Sequence, residues 1–165
     1  MPADPGLPVL RPAGPQDADR VAQIWHTGWH DAHPGHVPDG LTQARTPAAF
    51  TARAARAVEA TTVAEVAGEL AGFVMVVGDE VEQVYVARGW RGSGAADVLL
   101  AEAERQVAAA GHAQAWLAVV TGNSRARRFY ERAGWRDTGP LDYEVTAGGQ
   151  RFVSPCRRYV KDLFG

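Results

Sequence analysis

A short glycine-rich segment between a strand pattern and a helix pattern constrains this chain most. Arg91-Gly92-Ser93-Gly94-Ala95-Ala96 follows the alternating run Val84-Tyr85-Val86 and precedes the helical stretch 97–110. The small side chains let a ligand approach the main chain closely, and the first amide groups of a helix have no partner within it. The order strand, glycine loop, helix therefore predicts an anion site made of peptide nitrogens, of the kind that binds a diphosphate.

Two common types of glycine loop do not match this segment. A P-loop ends in Gly-Lys-Ser/Thr, so that an ammonium and a hydroxyl reach phosphate and magnesium, whereas Ala95 and Ala96 follow Gly94 here. A dinucleotide loop has three glycines in the pattern GxGxxG, and Asp97 stands in the place of the third. At this point a glycine-rich turn that binds no ligand remains an alternative to the anion site.

A second sequence motif, a helical segment, follows the next predicted strand. The apolar run Ala115–Val120 predicts a buried strand, after which Asn123 opens a helical segment that ends at Gly134. Asn is a good N-cap, and Gly suits the C-terminal cap. One side of this helix carries apolar and aromatic side chains at spacings of three and four residues, namely Ala126, Phe129, Tyr130 and Ala133. A cap and a half-buried aromatic would by themselves explain Asn123 and Tyr130 without any ligand.

The two blocks together resemble the cofactor motifs of the GNAT N-acetyltransferase superfamily. Its first motif is Arg or Gln, two residues, Gly, one residue, then Gly or Ala, and Arg91, Gly94 and Ala96 satisfy it. Its second motif is an Asn that opens a helix, then Ala, a Phe-Tyr pair and Gly plus an aromatic. The resemblance implies an α/β fold with a mixed, mostly antiparallel central sheet, helices on both faces and a splayed parallel strand pair. It also implies acetyl-CoA as co-substrate.

The resemblance further implies which residues bind acetyl-CoA. The splayed strands would be those ending at Val86 and Val120. Main-chain groups of Val84, Tyr85 and Val86 would bind the pantetheine arm, with the Val86 amide facing the acetyl oxygen, and Asn123 would bind the pantetheine or its amide. The pyrophosphate residues would be Arg91, Gly92, Ser93, Gly94, Ala95, Ala96 and Asp97. Candidates for the 3′-phosphate, or alternatively for a water-exposed basic face, are Arg125, Arg127 and Arg128.

Catalytic residues follow from the same resemblance. Tyr130 occupies the position from which family members protonate the departing sulfur, and a phenol with a reference pKa near ~10 suits that transfer. A glutamate that some relatives carry before the second motif is absent, because Ala118 stands there. Glu80 and Glu82 lie on one side of the strand before the glycine loop and are the remaining candidate bases. We favour Glu82, acting through water, while an exposed strand charge is the alternative for either carboxylate.

Aromatic and histidine side chains gather between Ile24 and Val37. This segment resembles the substrate-side helix and loop of family members that act on small amines or amino acids. It implies a substrate-binding wall formed by Trp25, Trp29 and His33. His26 and His30 have the four-residue spacing that can chelate zinc, but neither an HEXXH glutamate nor a nearby cysteine accompanies them, and we expect no metal.

The remaining patterns predict a mixed order of strands and helices. Strands are predicted at 8–11, 61–66, 70–77, 81–87, 114–120, 135–138 and 152–160. Helices are predicted at 16–31, 47–59, 95–110 and 124–133. Because the sequence contains neither repeats nor a low-complexity linker, this order is typical of one α/β domain with a mixed sheet over residues 1–165.

Composition excludes several classes of protein. The chain has 46% hydrophobic residues and a net charge of −2 from 17 basic and 19 acidic side chains, so we expect one core and no nucleic-acid partner. We also expect no membrane contact and a cytoplasmic location, because neither a leader pattern nor a membrane-length apolar run occurs. Cys156 is the single cysteine, which excludes an internal disulfide and predicts a small buried side chain.

These inferences predict an acyltransferase that moves the acetyl group of acetyl-CoA to a primary amine of a small metabolite or amino acid. Acetylation of a protein N-terminus or lysine is a second enzymatic possibility, although the aromatic helix end favours an enclosed small site. A non-catalytic acyl-CoA binding or sensing module is the contrasting possibility, favoured by the absence of a glutamate at Ala118. The sequence leaves a homodimer open.

Overall fold

The computed structural model describes residues 6–164 of the protein. Its helices are α1 Ala18–Ala32, α2 Asp39–Ala44, α3 Pro47–Arg56, α4 Ala95–Ala109 and α5 Ser124–Arg132. Its strands are β1 Val9–Pro12, β2 Thr61–Val66, β3 Glu69–Val77, β4 Glu80–Val86, β5 Gln114–Val120, β6 Arg136–Ala147 and β7 Gln150–Asp162. Short 3₁₀ turns occupy Pro15–Asp17, Val58–Ala60 and Arg88–Trp90.

The described strands form one seven-stranded sheet in the order β1-β2-β3-β4-β5-β7-β6. β4 and β5 run parallel, and the other neighbouring strands run antiparallel. Parallel neighbours need a long crossover connection, which the glycine loop and α4 supply here. The expected α/β fold with a mixed, mostly antiparallel sheet and one parallel pair is therefore confirmed.

The parallel strands part soon after they begin. Their register contains the pair Glu80 and Trp116, and the Trp116 amide donates a hydrogen bond to the Asp79 carbonyl at 3.1 Å. Beyond that pair, the described residues of β4 and β5 have no register partner in one another. Such an opening leaves main-chain groups free to bind an extended ligand as an added strand would be bound.

Helices pack on both faces of the sheet and enclose two apolar cores. On one face α1 and α3 contribute Trp25 and Phe50, whose ring centroids lie 5.4 Å apart in an edge-on arrangement. On the other face α4 contributes Leu99, which is buried with Tyr159 of β7. None of the helices within residues 6–164 has the length and apolar character needed to cross a membrane.

The observed element bounds lie within two residues of the predicted ones except in three places. The short helix α2 was not predicted, and α3 ends at Arg56 rather than at Glu59. The strand expected at 135–138 continues to Ala147, because a register shift between Asp137 and Pro140 carries β6 past its Gly-Pro pair. A bulge of this kind lets a strand accommodate residues that would otherwise end it.

Candidate active site

Two adjoining cavities lie where β4 and β5 part. The first, which we call the loop cavity, has a volume of about 640 Å³ and is bordered by the glycine loop and by α1 and α5. The second, the sheet cavity, has a volume of about 150 Å³ and is bordered mainly by residues of β4 to β7. The residues that line both cavities are Val84, Tyr85, Asn123, Ala126 and Tyr130. A molecule in one cavity can therefore reach a molecule in the other.

The glycine loop presents unoccupied amides to the loop cavity. Gly92 and Gly94 have φ angles of 78° and 89°, a left-handed region that costs other residues about 1–2 kcal/mol. A Cβ atom at either position would meet no atom within 4 Å, so the loop is open on that side. Among residues 6–164, the amides of Gly92, Gly94, Ala96 and Asp97 have no hydrogen-bond acceptor. They are donors available to an anion at the start of α4.

Ser93 does not share this role. Its amide donates to the Trp90 carbonyl at 3.2 Å, and its hydroxyl donates to the same carbonyl. Ser93 is also absent from the lining of the loop cavity. The expectation that its amide binds a ligand is corrected, because Ser93 closes the turn that precedes α4. The Ala95 amide donates to the Ser93 hydroxyl over a long 3.4 Å.

Arg91 borders the loop cavity and also fixes the loop to α1. Its Nη2 atom lies 2.8 Å from Oδ2 of Asp31, and Arg88 binds the same carboxylate. The hydrogen bond from Arg88, followed by that from Arg91, lowers the pKa of Asp31 to about 2, although burial opposes the shift. An ionised Asp31 therefore ties the end of α1 to the glycine loop.

Main-chain groups of β4 also face the opening. Along antiparallel strands, residue pairs that exchange main-chain hydrogen bonds alternate with pairs that do not. The Ala87 amide donates to the Ala71 carbonyl at 2.8 Å, so Tyr85, two residues earlier, also belongs to a hydrogen-bonded pair with β3. The main-chain groups of Val84 and Val86 therefore point away from β3 and toward the gap. Those of Tyr85 point toward β3, which corrects the expectation for its main chain. Tyr85 nevertheless borders both cavities.

Asn123 and Tyr130 lie where the cavities meet. The Asn123 Oδ1 atom accepts a hydrogen bond from the Ala126 amide at 3.2 Å, which caps α5 and leaves the side-chain NH₂ without an acceptor among the described residues. The Tyr130 hydroxyl likewise has no hydrogen-bond partner within residues 6–164. Burial raises the pKa of Tyr130 above its usual value near 10, so its phenol is protonated at neutral pH.

The arginines of α5 separate into engaged and free side chains. Arg127 donates to the Tyr159 hydroxyl at 3.2 Å and to the Thr121 carbonyl at 3.0 Å, so its guanidinium is held against the sheet. Arg125 is exposed and lines the loop cavity, whereas Arg128 does not line it. Among the three candidates for a 3′-phosphate, Arg125 alone combines exposure with a position on the cavity.

Both candidate bases line the sheet cavity, and a bulge in β4 sets their positions. Met75 pairs with Gln83 and Val76 pairs with Val81, so Glu82 is an extra residue without a partner in β3. Bulges of this kind re-aim side chains beside active sites. Glu82 is exposed, whereas Glu80 is half-buried at the start of the strand.

Tyr143 of β6 is a site residue that the sequence patterns did not indicate. Its hydroxyl donates to Oε2 of Glu80 at 2.7 Å. Burial raises the pKa of Glu80, and the hydrogen bond from Tyr143 opposes that shift. Because the strand predicted at 135–138 was expected to end before Tyr143, no local signal placed Tyr143 in this cavity.

Two of the three expected substrate residues line the sheet cavity. Trp29 and His33 stack with ring centroids 4.7 Å apart and an angle of 12° between the planes. Burial lowers the pKa of His33 to about 4, and its Nδ1 atom donates to the Trp29 carbonyl at 2.9 Å. Trp25 is a correction, because it is 2% exposed in the core and lines neither cavity.

Two arginines in the sheet cavity were not indicated by the sequence patterns. Arg45 precedes α3, and Arg53 lies within it. The available signal was the position of Arg53 in the buried stripe of α3, three residues after Phe50 and directly before Ala54. A charged residue in such a stripe needs a partner or a function.

The remaining predictions concern histidine, cysteine and metal binding. The rings of His26 and His30 lie 4.4 Å apart, and within residues 6–164 no group of three or more His, Cys, Asp or Glu side chains is placed to hold a metal ion. Cys156 is buried, as expected, and burial raises the pKa of its thiol to about 11. The thiol is therefore protonated at neutral pH.

Comparison with known proteins establishes the family. The model of the acetyltransferase (GNAT) family matches residues 21–135, so the chain belongs to that family. An uncharacterised N-acetyltransferase of Mycobacterium tuberculosis is 32% identical over 85 residues, which cover 48% of this chain and 54% of the relative. The chain thus spans about half the length of the curated relatives that it matches.

Solved structures show the same fold. A GCN5-related N-acetyltransferase from Rhodopseudomonas palustris has a TM-score of 0.74 at 21% identity, with 95% of this chain and 96% of that chain covered. The PaiA N-acetyltransferase from Thermoplasma acidophilum, solved in complex with coenzyme A, has a TM-score of 0.73 at 16% identity, with coverage of 95% and 99%. At these identities the likeness concerns the fold.

Proposed function

We propose that this protein transfers the acetyl group of acetyl-CoA to the primary amine of a small molecule. The observation that carries the proposal is the meeting of two chemically different cavities at Tyr130. The loop cavity offers hydrogen-bond donors for phosphates, and the sheet cavity offers carboxylates beside an opening between strands. Membership of the GNAT family and the coenzyme A complex of the Thermoplasma protein support the assignment of acetyl-CoA to the loop cavity.

The free amides of the glycine loop fit a pyrophosphate. Each hydrogen bond from an amide to a charged oxygen contributes about 1.5–3 kcal/mol, and the dipole of α4 adds about 0.3–1 kcal/mol. The amides of Gly92, Gly94, Ala96 and Asp97 would bind the phosphate oxygens, and the amide of Ala95 lies between them. Main-chain groups of Val84 and Val86 and the side-chain amide of Asn123 would bind the pantetheine arm along the opening.

The reaction forms a carbon–nitrogen bond and breaks the carbon–sulfur bond of the thioester. A neutral amine attacks the acetyl carbon, and the sulfur leaves with the bonding electron pair. The Val86 amide would donate to the acetyl oxygen as negative charge develops on it, since preorganised donors at that position lower the barrier. The protein must then remove one proton from the amine nitrogen and supply one to the sulfur.

Tyr130 would supply the proton to the sulfur. It lines both cavities, and its hydroxyl has no competing partner among residues 6–164. The phenol is protonated at neutral pH and can donate that proton to a thiolate that forms beside it. General acid catalysis of this type typically contributes 10²- to 10⁴-fold in rate.

Glu82 would accept the proton from the amine through a water molecule, with Glu80 as the second candidate. Both carboxylates line the sheet cavity, and the bulge places Glu82 closer along β4 to Val86. Glu80 is held by Tyr143 where the two strands still pair. This arrangement favours Glu82 as the base and Glu80 as a neighbour that adds negative charge.

The sheet cavity favours a small acceptor over a protein side chain. Its volume of about 150 Å³ corresponds to roughly five water molecules at about 30 Å³ each. Side chains from α1, α3 and β4 to β7 border it, including Trp29 and His33. A site of this size suits a metabolite.

Two measurements test the proposal and separate an enzyme from a sensing module. Isothermal titration of the protein with acetyl-CoA should give micromolar binding. A thiol-release assay over amines, amino acids, aminoglycosides and peptides should then identify an acceptor that gives turnover. Binding without turnover across the panel would favour the sensing module, and absence of heat with acetyl-CoA would refute the assignment of the loop cavity.

A further inference from the structure

We propose that the acceptor is a small amino acid whose carboxylate is bound by Arg45 and Arg53 in the sheet cavity. This inference rests on the proposed function and names the class of its acceptor. Both arginines line the sheet cavity together with Glu80 and Glu82.

Arg45 is a buried cation without a partner. The residue is 5% exposed, and its Nε atom is buried without a hydrogen-bond acceptor among residues 6–164. Burial of a charge is costly unless that charge is paired and hydrogen-bonded. Burial also lowers the pKa of Arg45, which indicates that its ionised form is poorly solvated. An anion in the sheet cavity would satisfy the group.

Arg53 is held in place but is likewise unpaired. Its guanidinium carbon lies 4.1 Å from the ring centroid of Trp25 and 5.4 Å from that of Phe50, so cation–π contacts fix its orientation. Its Nη1 atom is buried without a hydrogen-bond partner in the described part of the chain. Burial, followed by the positive charge of Arg45, lowers the pKa of Arg53 to about 10.

Residues 6–164 supply no counter-ion within 4.0 Å of either arginine. The charge of Glu82 raises the pKa of Arg53, although the two side chains do not form an ion pair within 4.0 Å. Two neighbouring guanidinium groups with free N–H donors match a carboxylate, which accepts from arginine in a forked geometry.

The charges of the sheet cavity complement those of an amino acid. Two cations, Arg45 and Arg53, and two carboxylates, Glu80 and Glu82, border the same space of about 150 Å³. An amino acid brings a carboxylate for the first pair and an amine for the second. An amine without a carboxylate would leave the guanidinium groups unpaired and is therefore disfavoured as an acceptor.

The wild-type protein provides the first test. The acceptors are the twenty common amino acids, each paired with its carboxamide and, where one exists, its decarboxylated amine, all at saturating acetyl-CoA. We expect kcat/KM for the preferred amino acid to exceed that for its carboxamide by about 10- to 100-fold, mostly through KM. Equal use of the two, or a preference for peptides, would overturn the inference.

Three methionine substitutions provide the second test. Arg45→Met and Arg53→Met should abolish the preference for the carboxylate. Arg56→Met is the matched control, because Arg56 is exposed at the end of α3 and lines neither cavity. Replacement of an unpaired buried charge by an apolar side chain is often neutral or stabilising, so Arg45→Met should keep or raise the melting temperature. A destabilised Arg45→Met variant that retains the preference would give Arg45 a structural role and refute the inference.

Direct binding separates this inference from the proposed function. In isothermal titrations with the protein saturated by coenzyme A, the preferred amino acid should bind and its carboxamide should bind at least about tenfold more weakly. This result requires no turnover and would support the inference even if acetyl transfer failed. Acetyl transfer to amines without discrimination by a carboxylate would leave the proposed function intact and would refute the arginine site.

Discussion

The loop cavity and the sheet cavity are built in different ways. One segment, 84–97, supplies the peptide donors of the loop cavity, and residues in or beside α1 and α5 complete its border. The sheet cavity is bordered mainly by residues of α1, α3 and β4 to β7, which meet only when the sheet is complete. The anion donors of the first cavity are therefore defined by local backbone geometry, and the second cavity is defined by tertiary packing.

This difference has a chemical consequence. Peptide nitrogens at a helix start offer donors that bind an anion whatever the rest of its structure, so the loop cavity suits a ligand shared across a family. Side chains such as Arg45, Arg53 and Tyr143 can differ while the fold is kept, so the sheet cavity suits the choice of acceptor. Tyr130 borders both cavities and is the point at which the two functions meet.

The largest effect is expected for Tyr130→Phe. Removal of the hydroxyl deletes the proposed proton donor to the leaving sulfur but keeps the ring, whose centroid lies 5.2 Å from that of Phe129. We expect kcat to fall about 10²- to 10³-fold, with the dissociation constant for acetyl-CoA nearly unchanged. Thiol release and isothermal titration measure the two quantities. An unchanged kcat would remove Tyr130 from the chemistry.

Substitution of the carboxylates tests which side of the sheet cavity receives the amine proton. Glu82→Gln should lower kcat/KM about 10²-fold. Glu80→Gln is the matched variant on the same strand and should have a smaller effect on rate. If Glu80→Gln instead has the larger effect, the proton passes to the carboxylate beside Tyr143.

The Glu80→Gln variant also has an expected stability signature. Because burial raises the pKa of Glu80 in the folded state above its ordinary value of 4.5, the folded protein binds that proton more tightly than the unfolded chain. Glu80 therefore lowers stability as pH rises from about 4.5 through the folded-state pKa. Glu80→Gln should weaken this decline, which denaturant melts across pH 4 to 8 would reveal.

The glycine loop can be tested by a change in backbone preference alone. Gly94→Ala forces an L-residue into a φ of 89° and should raise the dissociation constant for acetyl-CoA by about tenfold. Gly149→Ala is the control, because Gly149 has a similar φ of 75° in the β6–β7 turn and lines neither cavity. Equal loss of acetyl-CoA affinity in both variants would mean that general destabilisation, and not the loop, determines binding.

The smallest effect is expected for Asp31→Asn, which weakens the link between α1 and the glycine loop. Affinity for acetyl-CoA should fall only about two- to fivefold, because exposed ion pairs contribute little. In the folded protein the pKa of Asp31 is lowered from an ordinary 3.8 to about 2. The stabilising contribution of Asp31 is therefore complete above pH 3.8 and is lost as pH falls through about 2. Melts of both proteins should therefore differ at pH 7 and converge near pH 2.

The sequence predicted local features well. Apolar runs located β2 and β5 at their observed bounds, Thr61–Val66 and Gln114–Val120, since buried strands are marked by continuous apolar residues. The glycine loop was recognisable because small residues and a helix start are adjacent in the chain. Trp25 was wrongly placed in the substrate wall because the helical spacing of an aromatic does not distinguish a core side chain from a pocket side chain.

What the sequence did not predict depends on contacts between distant segments. The hydrogen bond between Tyr143 and Glu80 joins β6 to β4 across 63 positions, and β6 was expected to end before Tyr143. The sheet cavity brings Arg45 and Arg53 beside β4 only after α3 has packed against the sheet. The six-residue helix α2 is too short to show a helical period.

A crystal structure of the protein with coenzyme A would show whether the loop cavity binds this cofactor. We predict that the pyrophosphate lies against the amides of Gly92, Gly94, Ala96 and Asp97, that the pantetheine arm follows Val84 to Val86 between β4 and β5, and that the sulfur ends beside Tyr130. Coenzyme A bound elsewhere, or a pyrophosphate held by side chains while these amides stay unpaired, would contradict it.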